Sequence, residues 1–194
     1  RGVNRSSSIE SVRGFEGSAG REYFSFLPNL LKNDMPECFI PSRRTRRPPA
    51  DRFNALLSFG YALLYRSVLN AVISVGLEPA FGFYHTPRSS AHPLVLDLMD
   101  LFRVVLWDVP LIGSLNRLQW DPSDDFIVAS NKIWLSNPGK IKALKLFERR
   151  LQDKWKHPVT GYSLTYERTL ELEVRLLEKE WAGESGLFAR SRLR

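Results

Sequence analysis

The chain's 194 residues are 43% hydrophobic, enough for one domain with a sizeable core. Lys and Arg number 28 against 21 Asp and Glu, a net charge of +7 that favours a polyanionic partner, nucleic acid or an acidic membrane surface, over a small neutral ligand. No run reaches the roughly 18 consecutive apolar residues of a membrane span, no signal peptide is visible, and Cys38 is the sole cysteine, so no membrane and a reducing cytoplasm are expected.

The first residue is Arg1 rather than Met, which reads as a piece of a longer protein. Ser7-Ser8-Ile9-Glu10 has the form of a capping box, so a helix is expected over residues 8–31. Val12, Ala19, Tyr23, Phe26, Leu27 and Leu30 recur by threes and fours, and Glu16 falls on that apolar stripe. Residues 33–49 hold four prolines together with Arg43, Arg44, Arg46 and Arg47, and read as a loop. Asp51 can cap a second helix that is apolar on nearly every face and ends at Gly76.

Pro, Gly and Ser interrupt residues 78–93, which places His85 on a connection. Residues 94–107 resume as an apolar helix, with Asp97 and Asp100 three apart on one face and therefore in need of partners. Pro110 opens a short helix to Leu118, and a turn follows at residues 121–125. Residues 126–135 are the only plausible strand pair. Two charge-laced amphipathic helices, over 138–154 and 165–181, complete the chain around a connection at 157–161.

Three segments carry metal-competent side chains in apolar surroundings: Arg13-Gly14-Phe15-Glu16-Gly17, Gly82-Phe83-Tyr84-His85 and Leu96-Asp97-Leu98-Met99-Asp100. One imidazole and two or three carboxylates suffice for a divalent-metal site. Taken alone, each has another reading. Glu16 can pair with Arg13 or Arg21, His85 can be solvated, and Arg103 can neutralise one of the two aspartates.

These runs, with Arg21-Glu22-Tyr23-Phe24, Arg46-Arg47-Pro48-Pro49, Asn54-Ala55-Leu56-Leu57-Ser58-Phe59-Gly60-Tyr61 and Phe102-Arg103, resemble in order and spacing the CRISPR-associated adaptation integrase. Asn116-Arg117, Asp125-Phe126 and Tyr166-Glu167-Arg168 extend the similarity over nearly the whole chain. The resemblance implies a mainly α fold, a multi-helix catalytic domain with little strand, and the absence from this chain of the family's N-terminal β-rich domain. Its expected parts are a helical catalytic core with the metal site at 1–125 and a helical extension packed on the same domain at 126–194.

It further implies a metal-dependent DNA endonuclease and integrase that inserts spacers, with Mg²⁺ or Mn²⁺ held by Glu16, His85 and Asp100 and with Asp97 as a further candidate ligand. The implied partners are spacer and repeat DNA, double-stranded or branched, a second copy of the full-length protein, and a small ferredoxin-like adaptation protein. Arg43, Arg44, Arg46 and Arg47 are the expected nucleic-acid contacts, through bidentate pairing with phosphates. Two alternatives remain at this point: a transposon-encoded integrase of the same superfamily, and a catalytically silent DNA-binding scaffold.

Overall fold

The computed structural model describes residues 8–86, 91–130, 132–158, 160–184 and 186–189. At its centre stands helix α2 (Arg52–Val75), against which α3 (Pro93–Arg103), α5 (Asn137–Gln152) and α6 (Tyr166–Trp181) all pack. Asp51 caps α2 by accepting from the Asn54 amide at 2.7 Å, and Gly76 closes it at φ 94°, where a side chain would be strained. By length and composition α2 could cross a membrane. Here Leu56, Leu64 and Val72 are wholly buried against neighbouring helices of the same chain.

Gly60 lets the indole of Trp107 lie directly on the α2 backbone, where its Nε1 donates to the Leu56 carbonyl at 3.2 Å. Trp107 belongs to a π-helical turn, Val104–Asp108, that joins α3 to α4 (Val109–Asn116) without a break. The sequence reading ends one helix at residue 107 and starts another at Pro110. The wider turn removes the need for that break, because a proline ring collides with the carbonyl four residues earlier in a regular α-helix.

Helix α1 (Ile9–Phe26) begins one residue later than expected, with the Ser8 hydroxyl accepting from the Ser11 amide; Ser7 lies outside the described residues. Pro28 turns its end into a 3₁₀ segment, Leu27–Leu30. The apolar stripe is largely uncovered. Within α1 no residue is buried and Phe26 is 57% exposed, so only Tyr23 and Phe24 reach the core. Periodicity marks an apolar face but does not supply a surface to cover it.

The expected strand pair is present as β1 (Phe126–Ala129) antiparallel to β2 (Lys132–Leu135). A second hairpin was not anticipated: β3 (Lys154–Lys156) and β4 (Ser163–Thr165) pair across the connection placed at 157–161. Three residues per strand are too few to show an alternating pattern. His157 lies fully buried beside this hairpin, 3.3 Å from Glu173 of α6, as a structural histidine.

Candidate metal centre

The loop of residues 82–85 is organised around one side chain. Asp97, on the buried face of α3 and with no side-chain exposure, accepts on Oδ2 from the amides of Phe83 at 2.7 Å and Tyr84 at 3.0 Å. Its Oδ1 accepts from the His85 amide at 2.8 Å and lies 2.6 Å from His85 Nδ1. A Cβ on Gly82 would come within 2.7 Å of the same carboxylate, so only glycine permits this approach. With Nδ1 engaged as the donor, Nε2 is the ring nitrogen left for a ligand.

His85, Glu16 of α1 and Asp100 of α3 converge, each offering a ligand atom, with all three atoms within 4.8 Å of one another. Asp97 stands outside this cluster. The expectation that both aspartates sit in the same apolar setting therefore needs correcting: Asp97 is enclosed by the loop, whereas the Asp100 side chain is 35% exposed and pairs with Arg103. Partial burial raises the Asp100 carboxyl above its ordinary value; Arg103 opposes this, and the nearby Glu16 charge adds to it. Two carboxylates and an imidazole nitrogen facing one point form a donor set that fits Mn²⁺ or Mg²⁺ better than zinc.

Tyr84 donates its hydroxyl to Glu16 Oε2 at 2.7 Å. Partial burial and this bond push the phenol up to about 12. The trio opens on a cleft of about 990 Å³ whose walls include Arg13, Arg21, Arg43, Arg44, Arg46 and Arg103.

The four loop arginines divide. Arg43 and Arg46 are exposed and line the cleft, and Arg47 is exposed but not on its wall. Arg44 also lines the cleft but is half-buried, with its guanidinium engaged within the chain. It donates to Asn54 Oδ1 at 2.8 Å, to Ser58 Oγ at 3.1 Å and to the Thr45 carbonyl, and lies over the rings of Phe24 and Tyr61. Burial lowers its pKa to about 10. Asn54, held by Asp51 at the start of α2, offers the carbonyl that draws this guanidinium in.

A second network, which the sequence did not signal, is centred on Asp108. Asp108, in the π-helical turn, accepts from Tyr61 at 2.9 Å on one oxygen and from Tyr23 on the other. Burial raises the pKa of all three groups. A single Asp in the apolar run around Trp107 carried no recognisable pattern.

Residues 1–149 match the family described as CRISPR associated protein Cas1. The chain belongs to the Cas1 family. It is 59% identical, over 99% of its length, to a Cas1-family relative from Leptospira interrogans named CRISPR-associated exonuclease Cas4/endonuclease Cas1 fusion, and it covers 35% of that protein. This chain thus spans about a third of that relative's length. Among solved Cas1-like structures, a casposase bound to its integration product superimposes with a TM-score of 0.86 at 27% identity, covering 96% of this chain and 52% of the casposase. A Cas6-RT-Cas1–Cas2 complex gives 0.83 at 29% identity, covering 99% of this chain and 21% of that one. The mainly helical, strand-poor fold is therefore that of a Cas1 C-terminal region.

Proposed function

We propose that this chain is the catalytic region of a divalent-metal-dependent DNA integrase that inserts spacers into a CRISPR array by phosphoryl transfer. The observation that carries the reading is the convergence of Glu16, His85 and Asp100 on a cleft that several arginines also line. A silent scaffold would have no need of all three ligands.

In this reading, a 3′-hydroxyl of the incoming DNA attacks a phosphodiester at the repeat boundary and displaces one strand; water in its place gives nicking. Glu16, His85 and Asp100 would hold a divalent cation, which would supply charge stabilisation to the phosphoryl oxygens and acidify the attacking hydroxyl. Asp97 engages His85 Nδ1, which leaves Nε2 as the ring nitrogen to bind the cation. Arg43 and Arg46 draw the DNA backbone into the cleft, and Arg103 shares the Asp100 charge.

Strong identity with a relative named for Cas1 favours spacer DNA as the substrate. The casposase likeness supports integration chemistry in general, at much lower identity. The Cas1–Cas2 assembly among the structural neighbours supports a Cas2-type adaptation protein as partner. We take this partner to be small and ferredoxin-like, and the full-length protein to act as a homodimer in the prokaryotic cytoplasm.

Strand transfer on branched DNA with Mn²⁺ or Mg²⁺ tests the reading. Wild type is expected to be active, and His85→Ala to keep its fold and lose activity by about 100-fold or more. Equal activity in both proteins would overturn the site assignment.

A further inference from the structure

Helix α1 carries Glu16 yet contributes no buried residue of its own. Its firm attachment to the core lies at the far end, where Tyr23 reaches Asp108 and Phe24 packs partly into the core. Seven residues, about 10 Å of helix, separate that anchor from Glu16. A tilt of about 5° at the anchor moves the carboxylate by roughly 1 Å, several times what a metal–oxygen bond accommodates. Something nearer must hold Glu16 in register with His85.

Tyr84 makes that connection from both ends. Its hydroxyl donates to Glu16 Oε2 at 2.7 Å, and its carbonyl accepts from Arg13 Nη2 at 2.6 Å. The Arg13 guanidinium also lies 5.6 Å above the tyrosine ring. On the loop side, the Tyr84 amide is bonded to Asp97, and its ring stands edge-on to that of His85, 5.3 Å away. One residue thereby joins the helix that bears one ligand to the loop that bears another.

We infer that Tyr84 is a positioning residue for the metal centre, a strut that fixes the Glu16 carboxylate relative to His85 and so sets the affinity for the cation. The inference rests on the reading of Glu16, His85 and Asp100 as the metal site. Tyr84→Phe removes the hydroxyl and leaves the ring under Arg13, so it isolates the strut from the packing around it.

Binding of Mn²⁺ alone to the chain, followed by the loss of the free-ion signal in electron paramagnetic resonance, is compared for wild type, Tyr84→Phe, Glu16→Ala and His85→Ala, and for Tyr84→Phe combined with Glu16→Ala. Tyr84→Phe is expected to weaken Mn²⁺ binding about 10-fold, the usual loss when a ligand's supporting hydrogen bond is removed, with an unchanged unfolding midpoint. Strand transfer should return to within about twofold of wild type once Mn²⁺ is raised to saturation. In the Glu16→Ala background the same change should have no further effect, because its hydrogen-bond partner is gone.

Wild-type affinity in Tyr84→Phe alongside lost binding in His85→Ala would overturn the strut and leave the metal site standing. Undiminished binding in His85→Ala would overturn the metal reading itself. An equal effect of Tyr84→Phe with and without Glu16 would show that the hydroxyl acts through the loop alone, and would also overturn the strut.

Discussion

Asp97 and Asp100, one helical turn apart, show how far neighbouring carboxylates can diverge. Asp97 spends both oxygens on the backbone of the His85 loop, while Asp100 faces the cleft beside Glu16. Asp108 represents a third condition, buried between two tyrosine hydroxyls. Burial raises its pKa in the folded chain, with the tyrosine bonds pulling the other way. As pH climbs past the ordinary carboxyl range, the unfolded chain therefore releases this proton before the folded chain does, and stability falls until the folded carboxyl ionises as well. Asp108→Asn removes that component. Urea unfolding between about pH 4 and 8 should show the variant gaining stability relative to wild type as pH rises; a difference independent of pH would refute the buried acid.

At the level of elements, α2 and the π-helical turn meet closely at Gly60 and Trp107. A Cβ built on Gly60 would stand 1.8 Å from Cε2 of Trp107, a side chain that is wholly buried and cannot retreat. Gly60→Ala is thus expected to destabilise the chain by about 2–3 kcal/mol, as overpacking of a filled core does, read as a lower denaturation midpoint. Because the same turn carries Asp108, the loss should extend to the anchoring of α1 through Tyr23. A neutral substitution would mean that α2 and the turn are not in contact as described. Helix α1 is the opposite case: its placement depends on polar contacts at Tyr23, Arg13 and Glu16 rather than on buried apolar area.

Across the whole molecule, the excess positive charge is not spread evenly in its use. Arg43 and Arg46 face the cleft in solvent, whereas Arg44 is tied to Asn54 and Ser58. Neutralising phosphates releases counter-ions, so the slope of log affinity against log salt falls by about 0.9 for each duplex phosphate contact removed. Arg43→Ala with Arg46→Ala should reduce that slope by nearly two at little cost to folding. Arg44→Ala should leave the slope unchanged and cost about 2 kcal/mol of stability, since it strips hydrogen bonds from partly buried groups. A slope that responds to Arg44 and ignores the other two would reverse this division.

Local chemistry made much of this legible in advance. Asp51 and Gly76 bound α2, prolines and glycines put His85 on a connection, and resemblance in order and spacing singled out Glu16, His85 and Asp100. These features depend on a few consecutive residues, so the amino-acid sequence by itself determined them. Tertiary structure alone decided that the trio meets, that Asp97 supports the loop from outside the cluster, that Arg44 is tied to Asn54 and Ser58, and that Tyr84 bridges two elements. Spacing along a helix gives two aspartates the same face, and a run of arginines gives four equal charges. Only what packs against each side chain makes them different, and that surface comes from residues far away in the chain.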